Sequence, residues 1–209
     1  MVSLALALTF LLSPNKSEAF INFGFEMGDL TGWNIAGQGV AQVVESHHSP
    51  GLWDTTYYAQ EGQKFLSLKV TGDYVKVWRW FHLEANERLY GMAAFDLHDF
   101  YNDFAAVKIR RANGSLLNVP FFESRNTLGF PYMDGPWTSW DWEAPYSGWF
   151  KLEYYVENAW NNCGDSYGLF DAYVYHAPVP EPATMVLLGS GLLGLLGSGV
   201  RKKKGTDKR

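Results

Sequence analysis

The chain has few residues that could cross-link it covalently or bind polyanions. Cys163 is the single cysteine among 209 residues, so no internal disulfide can form and stability must come from packing or from a bound ion. Cations are also scarce, because residues 20–177 hold ten Lys and Arg against nineteen Asp and Glu, a net charge of −9. Nucleic-acid affinity depends on clustered Lys and Arg. This balance excludes nucleic acid as the expected partner.

Catalytic signatures are lacking as well. The sequence has no G-x-S-x-G motif, no Gly-rich phosphate loop, and no His spacing of the H-E-x-x-H type. Asp141 and Glu143 are spaced to share one face of a strand, which fits either an acid/base pair acting on a glycoside or an ordinary solvated strand. The solvated strand is the simpler interpretation, and we predict that the protein is not an enzyme.

Residues 20–177 contain no long amphipathic run, and short alternating segments are separated by Gly, Asn, Asp and Pro. This pattern predicts an all-β sandwich of roughly ten strands. Asn113-Gly114 predicts a type I′ hairpin turn, which needs positive φ at both residues, and Thr71-Gly72-Asp73 predicts a second turn. The principal predicted strands are 21–26, 40–45, 65–70, 74–83, 89–96, 105–110, 150–157 and 168–175.

The N-terminal nineteen residues read as a removable signal. An apolar run from Val2 to Leu12 is followed by Ser17-Glu18-Ala19, the small-x-small pattern that signal peptidase accepts. No Lys or Arg precedes Lys16, which departs from the usual basic start. We predict a signal peptide at 1–19, with an ordinary N-terminal strand or helix as the alternative.

The C-terminal end has three parts: a Pro/Glu motif, an uncharged run and a basic cluster of Arg201, Lys202, Lys203 and Lys204. A helix over 184–200 would be about 25 Å long, close to the ~30 Å of a bilayer core. Basic residues stay on the cytoplasmic side, so the preceding domain would lie outside. The pattern predicts one transmembrane helix; a buried core helix is the alternative, disfavoured by its high glycine content.

This tail resembles the PEP-CTERM sorting signal of Gram-negative bacteria that make extracellular polysaccharide. The resemblance implies that Pro180, Glu181 and Pro182 are recognised by a processing protease of the exosortase type. It implies an exported protein that passes through the inner membrane and then reaches the cell envelope, the surface or the extracellular matrix, with the tail either cleaved or retained. The expected domains are the signal peptide at 1–19, a β-sandwich at 20–177 and the sorting signal at 178–209.

A second resemblance lies in three segments, residues 23–33, 61–68 and 165–174. They are similar to jelly-roll domains of the galactose-binding-like type, which occur in many carbohydrate-binding modules. The resemblance implies a jelly-roll fold with a structural Ca²⁺ held by Glu26 and Asp171, helped by carbonyl groups near Gly28 and Asp29. The alternative is that both carboxylates cap turns or face solvent.

Aromatic residues are the main candidates for ligand contacts. Sugar rings stack on exposed indole and phenol rings, which makes Trp137, Trp140, Trp142 and Tyr132 candidate glycan ligands; aromatic rings also fill β-sandwich cores, so the alternative is burial. We expect an exported, non-catalytic module that binds glycan or exopolysaccharide. A structural or adhesive surface protein with a protein partner is the alternative, and a polysaccharide-acting enzyme is a weaker one.

Overall fold

The computed structural model describes residues 22–159 and 166–175. The predicted signal peptide, Cys163, the sorting motif, the 184–200 span and the basic cluster lie outside them. Within the described part of the chain, no helix has the length and apolar composition needed to cross a membrane. The elements are β1 (Asn34–Val44), β2 (Ser46–His48), β3 (Thr56–Tyr58), β4 (Phe65–Leu83), β5 (Arg88–Asp96), β6 (Phe104–Arg111), β7 (Leu116–Ser124), α1 (Arg125–Leu128), β8 (Thr138–Glu143), β9 (Gly148–Glu157) and β10 (Tyr167–Tyr175).

The strands form a sandwich of two antiparallel layers, as the sequence predicts. We call the layer ordered β1-β4-β9-β6-β7 sheet A, and the layer ordered β1-β4-β10-β5-β8 sheet B. Apolar side chains from both layers meet between them, and Tyr154 of β9 stacks on Phe170 of β10 with ring centroids 4.7 Å apart. Because the central strands lend one face to this core, the outer face of sheet A is left for solvent or a ligand, whereas that of sheet B is partly covered by a second buried cluster of Tyr57, Phe65, Ala94 and Leu169.

Strand β4 joins the two sheets. The predicted turn at 71–73 is wrong, since one strand of nineteen residues runs from Phe65 to Leu83. Its first part pairs with β10 and its second part with β9, while β1 follows both parts and changes register between Gly37 and Gly39. A Cβ on Gly37 would clash with the Tyr74 carbonyl oxygen. The glycines therefore let the backbones approach where the strands cross between layers.

The predicted first strand, 21–26, is also wrong in its described part. Residues 22–24 form a turn, and Asn22 and Phe25 have positive φ values of 57° and 63°. Phe23 and Phe25 are nevertheless buried against Trp33, whose Nε1 donates a hydrogen bond to the Asn22 carbonyl (2.9 Å). The alternating residues that predict a strand here, Phe23 and Phe25, are instead two buried side chains that anchor an irregular segment to the core.

The hairpin at Asn113-Gly114 is confirmed, joining β6 to β7. Of these two residues only Gly114 has a positive φ, at 85°, so the turn is not the predicted type I′. Asn113 instead accepts a hydrogen bond from the Ser115 backbone N–H at 2.9 Å, which is the local side-chain turn that Asn favours.

Candidate functional site

The outer surface of sheet A carries a set of half-buried and exposed rings together with several cations. Alternation along β4 sends Val75, Val77 and Phe81 into the core, so their neighbours face outward. The register aligns these with outward residues of β9 and β6 in rows across the sheet. We call this surface the aromatic face; its residues are Tyr74, Lys76, Trp78, Trp80, Phe104, Lys108, Arg110, Phe122, Trp149, Lys151, Glu153, Tyr155 and Glu157.

Four rings form a continuous row across four strands of the aromatic face. Tyr74 stacks on Tyr155 with centroids 5.6 Å apart and planes 12° from parallel. Phe104 lies 5.8 Å beyond Tyr155, and Phe122 lies 5.2 Å from Phe104. Strands are about 4.8 Å apart, so rings on successive strands stack in this way. The row offers an apolar strip that crosses the strands.

Two tryptophans lie beside this row on β4. Trp78 is half-buried and Trp80 is 39% exposed, and their rings meet edge to face with centroids 6.5 Å apart. The Lys151 ammonium lies 5.1 Å from the Trp78 ring centroid and 5.7 Å from that of Trp80. Rings of this kind present both an indole face and an adjacent cation to a ligand.

A buried carboxylate organises the cations of the aromatic face. Glu153 accepts a hydrogen bond from Arg110 Nε (2.6 Å) and lies 2.7 Å from Lys151 Nζ and 3.8 Å from Lys76 Nζ. Burial alone would raise the pKa of Glu153, but hydrogen bonds and charge from these three cations outweigh it and hold the pKa below its ordinary value. Glu153 is therefore ionised and fixes the long cationic side chains in place.

Lys108 has a different environment. Its ammonium lies 3.2 Å from the centroid of the Tyr155 ring and 5.3 Å from that of Phe104. Burial lowers the pKa of Lys108 to about 8, and Glu157 and Glu153 oppose this shift only in part. Lys108 belongs to no ion pair among the described residues. A weakly compensated ammonium thus lies over an aromatic ring in the middle of the face.

The predicted glycan ligands on β8 lie elsewhere. Trp140 and Trp142 are only 3% and 6% exposed and belong to the main core. They alternate with Ser139, Asp141 and Glu143, whose side chains point to solvent. The polar residues thus take the outer face and the indoles fill the sandwich, so neither indole offers a ring face to a sugar. This corrects the prediction for these two residues.

Trp137 and Tyr132 occupy a loop region at one end of sheet B. Trp137 is half-buried and packs edge-on against Tyr57 and Phe65. It lines a cleft of about 350 Å³ together with Trp53, Tyr58 and residues of the 134–136 loop. Tyr132 is exposed and meets Phe100 with centroids 4.9 Å apart. Both residues remain predictions as glycan ligands, and this cleft is the second candidate surface.

Glu26 and Asp171, the predicted calcium ligands, both contact the turn before β4. Glu26 accepts hydrogen bonds from the backbone N–H of Gln63 and Lys64 at 3.0–3.1 Å. Asp171 accepts from Gln60 (2.8 Å) and Glu61 (2.9 Å). These contacts fit the alternative role of capping a turn. Burial raises the pKa of Asp171 to about 6, with a further contribution from Glu26.

The donor set around this turn is short for calcium, which takes six to eight oxygen ligands. Among the described residues, no three His, Cys, Asp or Glu side chains are arranged to hold a metal ion. The proximity of two carboxylates is the feature that favours a cation. Calcium at Glu26 and Asp171 stays a prediction, because both carboxylates already accept hydrogen bonds from backbone amides.

Ser49, Asp96 and His98 bring together the residue types of a hydrolase triad. His98 Nε2 lies 3.2 Å from Ser49 Oγ and 2.9 Å from Asp96 Oδ1. In a working triad the two ring nitrogens divide these contacts, whereas here one nitrogen makes both, and Ser49 is fully buried. His47 Nε2 also contacts Asp96, at 2.8 Å. The cluster is a buried polar network that holds the 46–58 hairpin, and its geometry is not that of a nucleophile and base.

Sequence reasoning missed the aromatic face, although one signal was available. The run from Val75 to Phe81 alternates apolar residues with others. This alternation points Val75, Val77 and Phe81 inward and both Trp outward. The ring row could not be found in this way, because its members come from positions 74, 104, 122 and 155.

Comparison with known proteins identifies the tail and the fold. Residues 178–203 match the PEP-CTERM protein-sorting motif, so the chain carries the signal that the tail resembles. This motif marks an exported protein that is sorted to the cell surface and implies processing by an exosortase. No curated protein matches the sequence.

Among solved structures, the chain is similar to the module TmCBM61, solved in complex with β-1,4-galactotriose. The identity is 16%, the match covers 76% of this chain and 98% of that one, and the TM-score is 0.51. The xylan-binding CBM22-1 domain of Xyn10C from Paenibacillus barcinonensis is 17% identical over 74% of this chain and 92% of that one, with a TM-score of 0.43. The first similarity confirms the predicted jelly-roll β-sandwich fold.

Proposed function

We propose that the exported protein is a non-catalytic glycan-binding module of the cell envelope or the extracellular polysaccharide layer, and that the aromatic face of sheet A is its binding surface. The exosortase-processed tail delivers the module after a transient stage at the inner membrane. The observation that carries the proposal is the row of four contacting rings on the outer surface of sheet A. Trp78 and Trp80 lie on the same surface.

The physical case rests on the cost of leaving such rings in water. Large rings on a folded surface expose apolar area that a ligand can bury, at roughly 25 cal/mol per Å². The C–H faces of sugar rings are apolar and flat enough to stack on indole and phenol, while their hydroxyl groups need the polar neighbours that Lys and Arg provide. A β-sheet holds these rings rigidly, which reduces the entropy lost on binding.

Binding of the full chain to the producing bacterium's own extracellular polysaccharide tests the proposal. Trp80→Ala should weaken retention about tenfold or more, since Trp residues are among the strongest contributors to binding surfaces. Trp53→Ala is the matched control: this tryptophan is 64% exposed and lies in the loop cleft instead. Retention lost in the Trp53 variant and kept in the Trp80 variant would move the site to the cleft.

A second candidate function, adhesion to a protein, is favoured by the exposed apolar side chains around the loops. Leu52, Trp53, Phe100 and Tyr132 are exposed there, and the Leu52 backbone N–H donates to the Tyr132 carbonyl at 2.9 Å. Such a patch is typical of an interaction site. If the native polysaccharide is not retained at all, glycan binding is refuted and this adhesive role becomes the better explanation.

A further inference from the structure

We infer that the aromatic face selects anionic glycans, in which carboxylate groups on the sugar rings are bound by Lys76 and Lys108 beside the stacked pair of Tyr74 and Tyr155. This inference rests on the proposed function and adds the chemical class of the ligand. Uronic-acid units fit this description, with an apolar ring face to stack and a carboxylate to pair.

The charge of the aromatic face is opposite to that of the domain. The outward residues of β4, β9 and β6 include four cations, Lys76, Lys108, Arg110 and Lys151, against the two carboxylates Glu153 and Glu157. Residues 20–177 as a whole carry a net charge of −9. A local excess of positive charge on an acidic domain steers anions to that surface and away from the rest. Screening by salt limits this steering to about 8–10 Å.

The four cations divide into two kinds. Arg110 and Lys151 contact Glu153 directly, at 2.6 and 2.7 Å, so these two cations share the single negative charge of that carboxylate. Lys76 lies farther from the same carboxylate, at 3.8 Å. Lys108 contacts aromatic rings, and no described carboxylate lies within ion-pair distance of it. Lys76 and Lys108 are therefore the cations with capacity to bind a further anion.

These two lysines lie in the same part of the aromatic face. Lys76 lies directly opposite Tyr155 in the β4–β9 register, and the Lys108 ammonium lies over the Tyr155 ring. Burial lowers the pKa of Lys108 to about 8, and repulsion from the positive charges of Arg110 and Lys76 adds to this shift. An anion beside Lys76 and Lys108 would offset this repulsion and favour the charged form. Binding is then linked to protonation of Lys108, so affinity should fall as the pH rises above about 8.

The test compares the bacterium's native extracellular polysaccharide with the same material after chemical reduction of its carboxyl groups, both against the full chain. The native form should bind about tenfold or more tightly than the reduced form. Lys108→Gln should abolish most of that preference, and Lys108→Arg should restore it. Lys64→Gln, which removes one charge from the turn before β4, should leave the preference unchanged.

Each outcome separates this inference from the proposed function. Equal binding of native and reduced polysaccharide, still sensitive to Trp80→Ala, overturns the anionic specificity and keeps glycan binding. A preference for the native form that persists in both Lys108→Gln and Lys76→Gln overturns the site. No binding of either form overturns both proposals. As a second readout, NMR titration of the Lys108 side chain should show its pKa rising toward the ordinary lysine value when polysaccharide is added.

Discussion

The chain contains two Trp-x-Trp sequences with opposite fates. On β4, Trp78 and Trp80 face outward on sheet A, where Trp80 is 39% exposed; on β8, Trp140 and Trp142 face inward and are 3% and 6% exposed. The same spacing thus builds a surface in one strand and a core in the other. The residues that alternate with each Trp pair decide whether the indoles face the core or the surface, and the Trp residues themselves do not.

The neighbours act through the alternation of a strand. On β8 the residues that alternate with the indoles are Ser139, Asp141 and Glu143, which favour water, so the indoles take the core. On β4 the alternate positions from Val75 to Phe81 include two valines and a phenylalanine, and this set occupies the core instead. The residue between the β4 tryptophans, Arg79, is buried and lies 5.0 Å from the Phe23 ring centroid and 5.2 Å from that of Trp33. Cation–π contacts offset part of the cost of burying this cation.

The largest expected effect separates the two pairs by stability. Trp140→Ala should lower the free energy of unfolding by about 3–5 kcal/mol, because it leaves a cavity in the core. Trp80→Ala should lower it by less than about 1 kcal/mol, because its ring is partly in water. Urea denaturation of the full chain measures both. Similar losses in the two variants would contradict the assignment of Trp80 to a binding surface.

Glu153→Gln tests whether the aromatic face is built around one carboxylate. Removing this charge leaves Arg110 and Lys151 without their common partner, and we expect a loss of about 1–3 kcal/mol in unfolding free energy. This loss should be smaller than that for a fully buried ion pair, because both cations are partly exposed. Asp141→Asn, at an exposed carboxylate on β8, is the control and should change stability by less than about 0.5 kcal/mol. An equal effect of both changes would contradict the organising role of Glu153.

The fold was more predictable than the site, for a physical reason. Strands such as β5, β6 and β9 follow from local alternation, which sequence shows directly. The continuous β4 did not, since Gly72 is typical of a turn and the strand is kept extended by its pairing with β1 on one edge and with β10 and β9 on the other. The aromatic face depends on which strands become neighbours. That arrangement is a property of the whole sandwich, and Tyr74 and Tyr155 give no sign of it in their own segments.

A pH measurement compares two glutamates of sheet A with opposite environments. Glu153 has cationic partners, whereas Glu123 on β7 accepts a hydrogen bond from Thr138 Oγ1 (3.2 Å), and burial raises its pKa to about 7. A carboxyl group with a raised folded-state pKa contributes stability that is complete below its unfolded pKa of about 4.5 and is lost as the pH rises through about 7. Stability should therefore fall by about 1–2 kcal/mol over this window, allowing for partial exposure.

Glu123→Gln should remove that dependence, because the amide cannot ionise. Unfolding free energies measured between pH 4.5 and 8 should be flatter for the variant and should exceed those of the parent at pH 8. Glu84→Gln, at an exposed position, serves as the control. A variant whose stability falls as steeply as that of the parent would contradict the assignment.

The smallest expected effect concerns calcium at Glu26 and Asp171. Here the partners of both carboxylates are backbone amides, whereas the partners of Glu153 are cations. An ion bound only by the folded state raises the melting temperature, and calcium at about ten times its dissociation constant would add about 1.4 kcal/mol, or about 3 °C. Asp171→Asn should abolish the rise, and Asp54→Asn, an exposed carboxylate on a loop, should not. If calcium and a chelator leave the melting temperature unchanged, the amides alone compensate both carboxylates, and capping of the turn is their whole role.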